Sequence, residues 1–164
     1  MAPDLFVRRA RAADATAISE LNNTFAEAGQ MLKRSPEMIG LAIDDYVVVQ
    51  NASGDLLACG AIKEYSPSIA EVAAVAVSEA AHGKGLGRAI VTAVEDLARK
   101  RGIYDVFALT LQPAFFSAIG YQRVDRARYP EKIRRDCLGC MRRFACNETC
   151  FARNLLADEA ARAA

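Results

Sequence analysis

The sequence predicts an α+β domain: one mixed central β-sheet flanked by helices on both faces, with a cysteine-rich C-terminal tail. Three observations predict it. Alternating and β-branched runs are interleaved with segments of helical period. The run 70–77 is almost continuously apolar, as a strand covered on both faces is. A glycine-rich turn, His82-Gly83-Lys84-Gly85-Leu86-Gly87, then separates that strand from the most periodic helix in the chain.

Taken in order, Asp14 caps a first helix whose apolar positions Ile18, Leu21 and Phe25 keep helical spacing, and Gly29 ends it. Gln30 to Pro36 is a polar, basic loop leading into a short helix through Met38 and Leu41. Tyr46-Val47-Val48-Val49 is a strand, Asn51 to Asp55 a turn, and Leu56 to Lys63 the antiparallel partner. Ala70 to Val77 is the third strand. Leu86, Ile90, Val94 and Leu97 line the inner face of the next helix; Arg99, Lys100 and Arg101 fill its last turn before Gly102. Tyr104 to Thr110 is a strand, Pro113 opens a short helix, and Gly120 to Val124 returns as a strand. From Tyr129 the chain is basic and cysteine-rich, then an Ala-rich helix. Residues 1–128 form the main domain, and 129–164 are a tail packed on it.

Composition narrows the function classes. The 164 residues suffice for one domain with a full core. Lys plus Arg number 21 and Asp plus Glu 20, so no global field points to nucleic acid or membrane. Arg8, Arg9, Arg11 and Asp14 interrupt any secretory apolar segment, and no run approaches the roughly 18 apolar residues of a span. A cytoplasmic protein is expected.

The glycine loop is a phosphate cradle. Gly83, Gly85 and Gly87 let backbone N–H groups face one concavity, the helix N-terminus adds partial positive charge, and Lys84 and Arg88 add full charges. The P-loop pattern fails, because Lys84 precedes the second glycine and no Ser or Thr follows. The dinucleotide fingerprint fails too, since the glycines run G-x-G-x-G.

The run Val75 to Arg88 resembles the acetyl-CoA motif of the GNAT acetyltransferase superfamily, with His82 where Gln or Arg is usual. Phe115-Phe116-Ser117-Ala118-Ile119-Gly120-Tyr121 is similar to that family's second fingerprint. The resemblance implies acetyl-CoA as cosubstrate. Its pantetheine would lie along the third strand at Val75, Ala76 and Val77. Its diphosphate would sit on His82, Gly83, Lys84, Gly85, Leu86, Gly87 and Arg88, with Phe116 also at the cofactor.

Four further stretches, 28–35, 70–77, 107–116 and 131–140, resemble the amino-acid N-acetyltransferase branch, the short form of N-acetylglutamate synthase. Leu111, Ala114 and Arg134 depart from that branch's Tyr, Glu and Trp. The branch implies a small amino-acid acceptor, glutamate first, and hence arginine biosynthesis. An α-amine must lose a proton before it attacks a thioester. Glu71 matches the branch's glutamate and is the expected general base, acting through a water. A backbone N–H of Val75, Ala76 or Val77 would hold the oxyanion, which would make Val77 catalytic together with Glu71. Phe116 replaces the usual tyrosine acid, leaving Ser117 and Tyr121 as the nearby hydroxyls. Arg34 matches the branch's carboxylate-binding arginine, with Leu32 and Lys33 in the same loop and Lys132 in the tail as further acceptor-binding candidates.

Cys137, Cys140, Cys146 and Cys150 have spacing that can hold a structural zinc as four thiolates, with Lys132, Arg134, Arg135, Arg142 and Arg143 offsetting the charge. A reduced structural tail is the other reading. Cys59 reads as a small buried hydrophobe. Two rival functions stand beside the first. One is acetylation of a different amine: another amino acid, an aminoglycoside or a protein N-terminus. The other is a CoA-sensing module or one that binds nucleic acid or a partner through the basic cysteine tail, with few aromatics there for stacking bases. The Ala-rich terminal helix is compatible with a homodimer.

Overall fold

The computed structural model describes residues 4–141 and 146–164. Seven strands form one mixed sheet in the order β1-β2-β3-β4-β5-β7-β6. They are β1 Leu5–Arg9, β2 Tyr46–Asn51, β3 Leu56–Ser66, β4 Ile69–Val77, β5 Asp105–Thr110, β6 Gln122–Arg123 and β7 Thr149–Asn154. The α-helices are α1 Ala15–Glu27, α2 Pro36–Leu41, α3 Leu86–Lys100, α4 Pro113–Ala118, α5 Pro130–Lys132 and α6 Leu155–Ala163. A π-helical turn, Ile133–Cys137, continues α5. The chain divides into two compact units, one of residues 1–62 and 72–97, the other of residues 63–71 and 98–164.

In the first unit, β1 and β2 pair antiparallel from Leu5↔Asn51 to Arg9↔Val47, and β2 pairs with β3 from Tyr46↔Ala61 to Gln50↔Leu56. Tyr46 to Val49 are all buried, which explains their apolar, β-branched run. The period-2 alternation of β3 puts a helix on each face. Cys59 and Ala61 pack into a cluster with Ile18 and Leu21 of α1 and Ile39 of α2. A Cβ on the intervening Gly60 would meet Ile90 and Val94 of α3 on the other side.

Two local expectations change. Asp14 precedes α1 but does not cap it; its carboxylate instead takes two N–H groups of Arg8 and the Arg11 amide, locking the turn into the helix. In α2 the buried residue is Ile39, while Met38 and Leu41 are exposed. Ser35 caps α2 by accepting from the Met38 amide.

In the second unit, β4 and β5 run parallel, from Ile69↔Asp105 to Glu71↔Phe107. β7 runs antiparallel to both β5 and β6. The sequence reading missed β1 and β7. β7 lies inside residues 129–164, where the cysteines dominated the pattern, yet Cys150, Phe151 and Ala152 are all buried. Phe107 and Tyr129 stack at 4.1 Å between ring centroids, in a cluster with Cys150 and Ala152.

Candidate active site

The glycine loop leaves β4 and opens α3. Gly83 and Gly85 adopt φ of 78° and 75°, left-handed values that side chains resist. A Cβ at either would meet nothing within 4 Å, so the space in front of them is open. His82, Gly83, Lys84, Gly85 and Arg88 are exposed, while Leu86 is buried and anchors the first turn of α3. His82 turns back onto β4: its Nε2 lies 2.9 Å from the Val77 carbonyl oxygen. A carbonyl only accepts, so Nε2 carries the proton, and the imidazole braces the loop. A 15-residue helix beginning at such a loop suits an anion such as a diphosphate.

On β4 itself, Ala74 takes φ 53°, a left-handed residue inside a strand. Such a residue breaks the regular alternation and re-aims the chain beyond it. Its carbonyl faces the thiol of Cys59 at 3.8 Å. Cys59 is fully buried, and burial pushes its thiol up to about 12, so it is a packing residue as expected. Beyond Ala74, Ala76 enters the core against α1 and α2, while Val75 and Val77 are half-buried.

The Arg34 loop is held by α1. Ser19 Oγ and Asn23 Nδ2 donate to the Arg34 carbonyl at 2.7 and 3.2 Å, and the Arg34 amide donates to Asn23 Oδ1 at 3.0 Å. Asn22 Nδ2 donates to the Leu32 carbonyl at 2.9 Å. Ser19 and Asn22 are buried, an uncommon burial of polar side chains that their bonds to this loop explain. Leu32 and Lys33 are exposed and Arg34 half-buried. Arg34 faces the buried Tyr46; burial pushes that phenol up, and the guanidinium opposes it.

In the second unit, Glu71 sits at the centre of a charged cluster. Its side chain is 9% exposed, and Oε2 accepts from Lys132 Nζ and from the Tyr65 hydroxyl, each at 2.8 Å. Asp136 Oδ2 closes the cluster, accepting from Lys63 at 2.7 Å and from Lys132 at 3.0 Å and competing with Glu71 for the single Tyr65 proton. Burial pulls the Lys132 ammonium down, but Glu71 and Asp136 outweigh it and raise it above the ordinary lysine value. Burial pushes Asp136 up, but donors on Lys63, Tyr65 and Lys132 hold it well below the usual carboxylate range. Burial beside two carboxylates raises the Tyr65 phenol far above its ordinary value. Tyr65, Lys63 and Asp136 did not stand out in the sequence. The available signals were Lys63 and Tyr65 two apart on one strand face, and Lys132 and Asp136 four apart on one helical face.

Phe116 is buried, edge-on to Phe115 and Tyr121 at 5.1 and 5.2 Å and stacked on Phe151 at 6.3 Å. Ser117 is exposed and Tyr121 buried.

Among the described residues no three His, Cys, Asp or Glu side chains gather as metal ligands. The reason lies in β7, which commits Cys150 to the core, where burial pushes its thiol up to about 11. Cys146 accepts instead from both terminal nitrogens of Arg126, at 3.4 Å each. Of the basic residues expected around the cysteines, Arg142 and Arg143 lie outside the described residues.

The chain matches the pattern of the acetyltransferase (GNAT) family over residues 15–123. It is 40% identical over 154 residues to an N-acetyltransferase of Chlorobaculum tepidum, covering 94% of this chain and 99% of that one. An amino-acid acetyltransferase of Mycobacterium tuberculosis is 31% identical over 121 residues, 73% of this chain and 69% of its own. Among solved structures, N-acetylglutamate synthase from Neisseria gonorrhoeae, complexed with coenzyme A and N-acetyl-glutamate, superposes with a TM-score of 0.83 at 27% identity. That match covers 94% of this chain and 36% of the synthase. The open glycine loop at the start of α3, the mixed sheet and these likenesses agree, and the chain belongs to the GNAT family of acetyl-CoA-dependent N-acetyltransferases.

Proposed function

We propose that this protein transfers the acetyl group of acetyl-CoA to the α-amine of L-glutamate in the cytoplasm, the first step of arginine biosynthesis. The observation that carries the reading is the anchoring of the Arg34 loop: three polar side chains of α1 are spent on holding the backbone of residues 32–34. A loop held that firmly presents its cation in one place, which is what bidentate capture of a carboxylate needs. Leu32 and Lys33 belong to the same acceptor loop.

In this reading the diphosphate of acetyl-CoA rests on the amides from Gly83 to Arg88, with Lys84 and Arg88 supplying charge and His82 bracing the loop. Pantetheine runs along β4 at Val75 to Val77, and a backbone N–H there, Val77 included, holds the oxyanion of the tetrahedral intermediate. Phe116 serves the cofactor as part of its apolar surroundings. Glu71 removes one proton from the glutamate ammonium through a water, the amine attacks the thioester carbonyl, the C–S bond breaks, and a second proton from the attacking nitrogen passes through water to the departing thiolate, so that CoA leaves as the thiol. Lys132, in an ion pair with Glu71, is a further candidate for binding an acceptor carboxylate.

The test is release of free thiol from acetyl-CoA with L-glutamate against a panel of amino acids, an aminoglycoside and an N-terminal peptide. Glutamate is expected to lead. Arg34→Ala should raise the KM for glutamate about 10- to 100-fold, the loss of a charge-assisted pair, with kcat little changed. Glu71→Gln should lower kcat by about 10²-fold or more. Turnover confined to another amine would move the acceptor assignment and leave the acetyl-CoA chemistry standing.

A further inference from the structure

The acetyl transfer releases one proton for every ammonium converted to an amide, and a buried base must hand that proton on before the next turnover. Glu71 is 9% exposed, whereas Asp136 is 25% exposed. Between them stands one hydroxyl. Tyr65 O–H lies 2.8 Å from Glu71 Oε2 and is also in contact with Asp136 Oδ2. A phenol carries a single proton, so Tyr65 donates to one carboxylate at a time and can accept from the other.

We propose that Tyr65 and Asp136 form the exit path for the proton that Glu71 takes from the acceptor amine. The inference rests on Glu71 being the general base. After the base step Glu71 Oε2 bears the proton and donates it to the Tyr65 oxygen, while the Tyr65 O–H bond breaks and its proton passes to Asp136 Oδ2. Asp136 then releases the proton to water, and rotation of the Tyr65 hydroxyl resets the path. Two carboxylates return as carboxylates, the phenol returns as a phenol, and one proton has left.

The surroundings fit that task. Lys132 bridges the two acceptor oxygens at 2.8 and 3.0 Å, and Lys63 binds Asp136 at 2.7 Å, so two ammonium groups balance two carboxylates. Held low by these donors against the pull of burial, Asp136 passes a proton on rather than keeping it. Arg135 lies over the Tyr65 ring at 5.3 Å and donates to the Glu64 carbonyl at 2.7 Å, and the Phe107 ring stands 5.7 Å from the Tyr65 ring. These contacts fix the phenol between its two acceptors.

The experiment compares Tyr65→Phe and Asp136→Asn with the wild type in thiol release, using acetyl-CoA and the amino acid that the panel shows to be turned over. Rates are taken in H2O and D2O, with and without imidazole as an external proton carrier, after circular dichroism melts confirm folding. Each variant is expected to lower kcat about tenfold or more, with both KM values within about twofold, a larger solvent isotope effect on kcat, and partial recovery by imidazole. Wild-type kcat in Tyr65→Phe, or a loss in both variants that neither imidazole nor D2O touches, overturns the exit path. If Tyr65→Phe fails to fold, Asp136→Asn decides by the same readouts. Loss of turnover in Glu71→Gln alongside unaffected Tyr65→Phe leaves the base and removes the path. Wild-type turnover in Glu71→Gln, or none on any amino acid, removes both.

Discussion

Glu71, Lys132, Tyr65 and Asp136 show how few atoms set the chemistry of the second unit. Their four polar atoms are linked by contacts of 2.8 to 3.2 Å, apart from the closer approach of Tyr65 to Asp136. Removing one member of a buried ion pair leaves the other without compensation, at a cost of about 3–5 kcal/mol. Lys132→Met should therefore lower the urea-derived stability by about that much, and Lys132→Met combined with Glu71→Gln should lower it less. Asp136 and Asp14 both sit below the ordinary aspartate range, Asp14 chiefly through its hydrogen bonds from Arg8. A carboxylate whose folded value is depressed adds stability above its unfolded value of about 3.9, and loses it as pH falls through the folded value. Stability should thus be level between about pH 7 and 5 and fall below about pH 4. Asp14→Asn should flatten that fall, as read from urea midpoints at each pH.

At the level of elements, two glycines do different work. Gly60 on β3 is where α3 comes closest: a Cβ there would stand 2.4 Å from the Ile90 Cγ2 methyl. A branched methyl inside a packed core has little room to give way, so Gly60→Ala should cost about 1–3 kcal/mol in a thermal melt. Gly85 is the opposite case, with open space around it but a φ of 75°. Gly85→Ala should cost only about 1 kcal/mol of backbone strain. Its methyl would occupy the open space in front of the loop, so the KM for acetyl-CoA should rise about tenfold or more, about 1.4 kcal/mol in binding. A large stability loss with an unchanged KM would place Gly85 in the fold rather than at the phosphates. The Arg34 loop makes the same separation visible: its backbone is held by α1, while its guanidinium faces the Tyr46 phenol.

For the molecule as a whole, the strand that matters most is the one least visible in the sequence. β7 supplies the antiparallel partner of both β5 and β6, and Phe151 at its centre stacks on Phe116. Phe151→Ala should cost about 3–5 kcal/mol in equilibrium unfolding, a core loss that a surface tail would not produce.

The glycine loop, the helix after it, the β-branched strands and the family's two fingerprints are local patterns, and periodicity with turn chemistry was enough to read them. Glu71 and Arg34 were readable through short matched stretches. β1 and β7 were not: the first is a short edge strand with polar neighbours, and the second hid among cysteines whose spacing suggested ligands. Cysteine spacing along a chain says which thiols can approach, and only tertiary packing says which are buried in a sheet instead. The same reason hid Tyr65 and Asp136. They are 71 positions apart, and their partnership depends on β3 and the π turn being brought together. By itself the sequence determined the elements from α1 to β6, the glycine loop and the acetyl-CoA chemistry, because these rest on neighbours in the chain. The tertiary structure decided the burial of Cys150 and the charged cluster around Glu71, because those rest on residues that only folding brings into contact.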